Sequence, residues 1–322
     1  MKYRTIPNTD LKPSVICLGT GDVGGALDQK ASFRLLDAYL DLGGTLIDTA
    51  SVYTDWLPGE RSASEKTIGR WLSRRGGRDR ALLATKGGHP ELSSMDVPRL
   101  SRQEIVHDLE ASLRNLQAEV IDLYWLHRDD PTRPVGEIVD VLYDQVQVGK
   151  VRYVGCSNWR VPRIQAAQEY AASLGFVGFV GNQMMWSLAR PNSEALGDPT
   201  MVWMDDELES YHRQSGLAAI PYSSQANGFY QKLARGDDQG LKPGLRAKYD
   251  HPTNRQRFAR IQSLADESGL TVTQVVLGYL LSQPFPAFPI VGCKTVEQLQ
   301  DSASAAAVRL TTDQIDFVIR GL

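Results

Sequence analysis

Cysteine is scarce in this chain. Cys17, Cys156 and Cys293 are odd in number and widely spaced, which supplies neither a disulfide framework nor the ligand spacing of a zinc site. Long hydrophobic runs are missing too: nothing approaches the roughly 20 apolar residues that span a bilayer, and residues 1–10 are polar. The expected address is therefore the cytoplasm, with no membrane partner. Positive charge is not in excess, since 35 Lys and Arg face 38 Asp and Glu for a formal net charge of −3. The basic clusters near Arg74 and Arg255 are short, so a nucleic-acid partner is not expected. Histidine is rare as well. His89, His107, His127, His212 and His251 form no His-x-His or His-x-x-x-His pair, which argues against a metal-dependent hydrolase, and no metal is expected. With Gly and Pro also unexceptional, disorder is not expected.

What is present is a rhythm. Short β-rich apolar runs at residues 15–18, 45–48, 81–85, 120–126, 151–156, 179–183, 217–222 and 287–291 alternate with helical patterns, the arrangement of a parallel sheet with helical crossovers. Eight such pairs predict an α/β fold, a (β/α)8 TIM barrel formed as one domain over residues 1–322, with extra helices. Helix starts are marked by Ser or Thr followed three residues later by Glu or Gln: Ser62 with Glu65, Ser101 with Glu104, Thr271 with Gln274 and Thr311 with Gln314. Ile105, Leu109, Leu113 and Leu116 form one apolar helix face and read as core. Residues 2–5 and a turn at Asn8, Thr9 and Asp10 predict an N-terminal β-hairpin that plugs the barrel bottom. The polar connection at 190–206, with Trp203 and Met204 inside it, is longer than most βα loops and is expected to cover the substrate.

Four polar residues fall at or just beyond the C-terminal ends of adjacent strands: Asp48, Tyr53, Lys86 and His127. In a barrel those ends share one mouth. Singly, each has an ordinary structural reading; together they make a proton-transfer set. A carbonyl that accepts hydride needs an acid for its oxygen, and a tyrosine, with a reference pKa of about 10, needs help to release its proton. Lys86 is expected to stabilise the phenolate of Tyr53, Asp48 to hold Lys86, and His127 to orient the carbonyl and share the proton relay.

The strings around these residues are LIDTASVY (46–53), LLATKGG (82–88), IDLYWLHR (121–128), GKVRYVGCSNW (149–159), GNQMMWSL (181–188) and AIPYSSQANGF (219–229). In this order they resemble the successive signatures of the aldo-keto reductases, from the N-terminal hairpin to the C-terminal helix. The resemblance implies a catalytic tetrad of Asp48, Tyr53, Lys86 and His127 and a nicotinamide cofactor extended across the barrel mouth. It implies that Ser157, Asn158 and Gln183 bond the carboxamide, that Tyr222 stacks on the ring, and that Gly19 and Thr20 approach by backbone. Asp48, Ser223, Ser224, Gln225, Gly292, Lys294, Thr295, Gln298, Asp301 and Ser302 complete the implied cofactor contacts. Thr295 stands where many relatives carry Arg, and Ser302 where Asn is usual. Lys294, near a helix N-terminus, is a cation suited to a 2′-phosphate, so NADP(H) is favoured with NAD(H) possible.

The implied activity is NADP(H)-dependent transfer of hydride between nicotinamide and a small carbonyl or alcohol: an aldehyde, ketone or sugar. The other reading is a cofactor-binding regulatory barrel with little turnover. Gly19, Gly21 and Gly24 spell G-x-G-x-x-G after a strand, but a helix cap at Asp28 delays the next helix too far for a Rossmann site. Pocket candidates are Asp22, Val23, Trp56, His89, Arg128, Trp186, Tyr230, Trp203 and Met204. Sequence leaves the oligomeric state and the physiological substrate open.

Overall fold

Parallel strands need crossovers, and the alternation in the sequence supplies them. The computed structural model describes residues 1–322. In chain order it contains β1 (Cys17–Gly19), α1 (Gln29–Asp41), β2 (Leu46–Asp48), α2 (Ala63–Arg75), β3 (Leu82–Gly87), α3 (Arg102–Leu116), β4 (Ile121–Leu126) and α4 (Val135–Gln147). There follow β5 (Val151–Ser157), α5 (Val161–Ser173), β6 (Phe179–Gln183), α6 (Asp206–Ser215), β7 (Ala218–Ala219), α7 (Phe229–Ala234), α8 (Pro243–Tyr249), α9 (Pro252–Ser268), α10 (Val272–Leu281), β8 (Ile290–Gly292), α11 (Val296–Ser304) and α12 (Thr312–Arg320). All strand pairs are parallel, in the order β7-β6-β5-β4-β3-β2-β1-β8. The ring closes at Ala219, which bridges Ala287: Phe288 N–H donates to the Ala219 carbonyl and Ala219 N–H to that of Pro286. This is the (β/α)8 barrel.

The sixth strand lies where the sequence places it. The seventh shrinks to two residues, because Pro221 has no N–H to donate and Tyr222 N–H turns to the Met184 carbonyl. The eighth begins only at Ile290, since Pro286 and Pro289 interrupt the run before it. Capping boxes form at Ser101, Thr271 and Thr311. None forms at Ser62, which sits in the left-handed region at φ 54 with no side-chain cap bond. Its intended partner, Glu65, is fully buried and accepts instead from Thr85 Oγ1 at 2.6 Å and Asn115 Nδ2 at 2.9 Å.

Side chains alternate across a strand, so each β-strand has one row facing the barrel axis and one facing the helices. Cys17, Leu46, Ala84, Leu123, Trp125, Val180, Ala218, Ile220, Phe288 and Ile290 fill the inside, closed below by Ile6 and Leu11. Those two belong to the expected hairpin. Its arms are joined by Arg4 N–H to the Pro13 carbonyl and Ile6 N–H to that of Leu11, turning at Asn8 with φ 60. A larger apolar layer, including Leu18, Ile47, Leu83, Tyr124 and Leu126, lies between strands and helices. No helix is long and apolar enough to cross a membrane.

Trp125 sets a constraint on its neighbours. A Cβ at Gly155 would lie 2.2 Å from the Trp125 ring and 2.9 Å from the Gly181 carbonyl oxygen. Gly155→Ala is therefore expected to overpack the barrel and lower unfolding stability by about 1–3 kcal/mol in urea titration. An unchanged midpoint would show that the indole has room to move.

Candidate active site

The inward parity that fills the barrel also builds its mouth. Two residues above Leu46 comes Asp48, two above Ala84 comes Lys86, and two above Trp125 comes His127, so the apolar rows end in polar groups that converge. Lys86 is 2% exposed, and an ammonium taken out of water must have its three N–H groups matched. They are: Nζ donates to Asp48 Oδ2 at 2.5 Å, to the Thr49 carbonyl at 2.7 Å and to Tyr53 Oη at 3.0 Å. Asp48 Oδ1 accepts from Gln183 Nε2 at 2.7 Å. The structure thus brings Asp48, Tyr53 and Lys86 together. His127 stands edge-on to Tyr53 with ring centroids 6.0 Å apart, and His89 is edge-on to His127 at 4.7 Å.

Charge follows from burial. The Lys86 amine is held above its ordinary value: burial works against the cation, but Asp48 and Tyr53 outweigh it. Tyr53 feels two opposed effects. Burial raises its phenol above the ordinary value, more than Lys86 lowers it. The group therefore keeps its proton at neutral pH. His127 is pushed well below its ordinary value by burial, then by Arg128, His89 and Lys86, and stays neutral. Its Nδ1 is buried without a partner.

Tyr53 is aimed by a turn that the sequence does not announce. Thr54, a β-branched residue, is buried at φ 79, a costly conformation that persists only where surroundings enforce it. Gly25 packs there, and a Cβ on it would lie 2.7 Å from Thr54 Cγ2. No local residue pattern marks such a position.

The residues suggested for the cofactor fall in two groups. Around the tetrad, Gln183 Oε1 is buried with no partner, Ser157 is buried beside it on the adjacent strand, and Tyr222 lies half-buried after β7. A buried lone acceptor of this kind fits an amide N–H donor. Asn158 is less available: its Nδ2 donates to the His127 carbonyl and Ser157 Oγ, and its Oδ1 accepts from Val202 N–H and Tyr222 Oη. Along the rim, Gly19 is glycine for packing, since a Cβ would lie 2.6 Å from Ile290 Cγ2. Thr20 bonds the Asp48 carbonyl through both N–H and hydroxyl.

At the far end of the rim, Gly292 is exposed, with open space where a Cβ would stand. Ser223 is half-buried at φ 53, Ser224 donates to the Ile290 carbonyl, and Gln225 Nε2 donates to the buried Ser302 at 2.9 Å. Thr295 and Gln298 are engaged as caps: Thr295 Oγ1 accepts Gln298 N–H, and Gln298 Oε1 accepts Lys294 N–H. Asp301 is exposed. The Lys294 ammonium is free to reach solvent and lies 3.8 Å from Asp22, so the pair spans the rim from β8 to the loop after β1.

Several pocket candidates prove to be core. Trp186 stacks on Phe285 and meets Tyr279 between sheet and helices, Tyr230 is buried against Phe229 and Phe258, and Met204 joins the outer core. A loop position does not disclose which way a side chain turns. Val23 is also buried in that layer. Trp203 lies under the Arg190 guanidinium and lines a cavity of about 330 Å³ within the 190–205 connection, together with Arg160, Leu196 and Met201. At the mouth itself stand His89, Arg128 and Trp56, the last 53% exposed and edge-on to Tyr53.

Comparison with known proteins agrees with this geometry. The aldo/keto reductase family model matches residues 15–318, and the chain belongs to that family; it is an oxidoreductase. It is 33% identical over 316 residues to the uncharacterized oxidoreductase YrpG of Bacillus subtilis, covering 96% of this chain and 92% of the relative. It is 31% identical to an aryl-alcohol dehydrogenase (NADP(+)) of Phanerodontia chrysosporium, over 97% of this chain and 83% of the relative. Norsolorinic acid reductase stcV of Emericella nidulans is 28% identical, over 96% and 78%.

The buried pair at the centre has a thermodynamic consequence. Lys86→Met leaves Asp48 as a buried carboxylate without its cation and is expected to cost about 3–5 kcal/mol in urea unfolding, most of it recovered when Asp48→Asn is added. A single-variant loss under about 1 kcal/mol would show that the pair contributes little to stability, Asp48 taking up a proton when its cation is gone.

Proposed function

We propose that this barrel reduces aldehydes and ketones and, in reverse, oxidises alcohols, using NADP(H) in preference to NAD(H), with Tyr53 as the acid and base. The observation that carries the reading is the engagement of the Lys86 ammonium. Its third N–H points at Tyr53 Oη, so the phenol oxygen accepts from Lys86 and its own proton stays free for a partner in the mouth. The residues present suit a nicotinamide cofactor: the partnerless Gln183 Oε1 and the Ser157 hydroxyl fit its carboxamide, and Tyr222 offers a flat ring. When bound, that cofactor supplies or accepts the hydride at the carbonyl carbon.

Tyr53 donates its proton to the oxygen that becomes the alcohol, and the phenolate left behind is stabilised by Lys86, itself fixed by Asp48 and the Thr49 carbonyl. The neutral His127, facing Tyr53, orients the carbonyl oxygen. In the reverse direction the same phenolate takes the alcohol proton. Lys294, preceding α11, is a cation placed for a 2′-phosphate, and a relative named for NADP(+) supports that preference. Exposed Trp56 beside Tyr53, with relatives named for an aryl alcohol and for norsolorinic acid, favours substrates that carry an aromatic ring.

Tyr53→Phe removes the acid and little else. Turnover of an aromatic aldehyde is expected to fall at least about a hundredfold, with NADPH affinity by fluorescence titration nearly unchanged. Wild-type turnover in the variant would sink the assignment, and an inert wild-type protein in single-turnover oxidation of bound NADPH would favour a regulatory barrel. Lys294→Ala should weaken NADPH more than NADH, because only the former offers the phosphate. Equal losses in paired titrations would remove Lys294 from phosphate recognition.

A further inference from the structure

Attachments of the connection between β6 and α6 converge on one backbone group. Arg128, next to His127, is buried and gives each part of its guanidinium a separate acceptor: Nε to Thr200 Oγ1 at 2.8 Å, Nη2 to Asp198 Oδ2 at 3.0 Å, and Nη1 to the His127 carbonyl at 2.9 Å. Asn158, at φ 61, donates to the same carbonyl at 3.2 Å, while its Oδ1 accepts Val202 N–H at 3.0 Å and Tyr222 Oη at 2.7 Å. Asp198 is ordered for its part, because its other oxygen accepts the N–H and the hydroxyl of Thr200 at 2.9 and 2.6 Å. The returning chain is fastened separately at Met185, whose N–H donates to the Val202 carbonyl and whose carbonyl accepts Met204 N–H. The stretch around Asp198 and Thr200 is thus held from the His127 side by Arg128.

We infer that Arg128 and Asp198 form a latch that seats this connection on the His127 end of β4, making Arg128 a positioning residue that sets which substrates fit the mouth. The inference rests on the proposed roles of Tyr53 and His127. Arginine is required by geometry: three acceptors lie around one rigid planar fork, and the single ammonium of lysine cannot serve them in that arrangement. Releasing the latch frees the stretch around Asp198 and Thr200 to move, while Asn192 stays bonded to the Lys248 carbonyl and the core residues Val202 and Met204 stay anchored.

The pair also matters as charge. Arg128 acts on His127 at its own strand end, His89 after β3, Tyr53 after β2 and Tyr222 after β7; Asp198 acts on His89 and Tyr222, Arg99 on His89, and Lys86 and Asp48 on Tyr53. With Asp198 at 3.0 Å the guanidinium is compensated. Without it, an unpaired cation remains bonded to the carbonyl of His127, whose ring stands edge-on to Tyr53 at 6.0 Å; its charge favours the phenolate there, so the alkaline loss of reduction, which needs the phenol, begins at lower pH.

The test measures kcat and KM for propanal and 2-naphthaldehyde with NADPH in the full-length enzyme, from neutral to alkaline pH, in Arg128→Lys, Asp198→Asn and the double variant Arg128→Gln/Asp198→Asn. Expected are NADPH affinity within about twofold of wild type and a change of about tenfold or more in the ratio of the two aldehydes' KM values, with kcat for propanal within about threefold. Asp198→Asn should also move the alkaline limb of kcat/KM down by about half a pH unit or more, and the double variant should return it. A KM ratio within about twofold of wild type together with an unmoved limb in Asp198→Asn overturns the latch. Asp198 is on the loop and partly exposed, so that variant remains informative if Arg128→Lys fails to fold. An inactive Tyr53→Phe beside a wild-type-like Asp198→Asn removes only the latch, whereas an active Tyr53→Phe removes the reading beneath it.

Discussion

A charged amine inside a barrel of apolar side chains must have every proton accepted, and the structure around Lys86 is the solution to that requirement. One acceptor is a carboxylate, which balances charge but is itself buried and needs a further donor; Gln183 supplies it from the opposite side of the barrel. A second is the Thr49 carbonyl, free to bend inward because β2 ends at Asp48. The third is the phenol of Tyr53, and the strained Thr54 turn brings that phenol within reach. Remove the carboxylate and the ammonium is left without a counter-ion in low dielectric, where the penalty is several kcal/mol; losing the phenol leaves the ion pair in place. The arrangement that stabilises the ion is the same one that leaves a phenol proton facing the mouth.

Much of this was legible in the sequence because it depends on period and order. Strand parity alone carries the inward rows from Leu46, Ala84 and Trp125 to Asp48, Lys86 and His127, and the alternation of runs gives the barrel. What was not legible depends on partners far away in the chain. Ser62 with Glu65 has the same spacing as Ser101 with Glu104, yet Glu65 is drawn away by Thr85 and Asn115 and no box forms. Trp186 and Tyr230 follow strands as the mouth residues do, but their rings turn to the helices. The tie between Arg128 and Asp198 joins residues 70 positions apart, one of them in a loop without periodicity.

The charges of the mouth have a common feature: they are compensated within the protein. Lys86 has Asp48, and Arg128 has Asp198. At the rim, Lys294 and Asp22 are 3.8 Å apart and largely exposed, a separation at which solvent screens the pair and either partner can turn to a ligand at little cost. The inner pairs are therefore structural constants of the site and the outer pair is an adjustable one. This division matches a reading in which an uncharged carbonyl meets the inner groups and a phosphate meets the outer cation.

The same electrostatics bear on direction. Burial holds the Tyr53 phenol above its ordinary value, so at neutral pH the proton is in place and, in the proposed role of Tyr53, reduction would start from the resting state of the side chain. Oxidation starts from the phenolate, which must first be made against the desolvation that keeps the proton on. Lys86 lowers that cost without removing it, and the neutral His127 adds no charge of its own. The group is thus biased towards donating at neutral pH, and the bias weakens as pH rises towards the phenol's value.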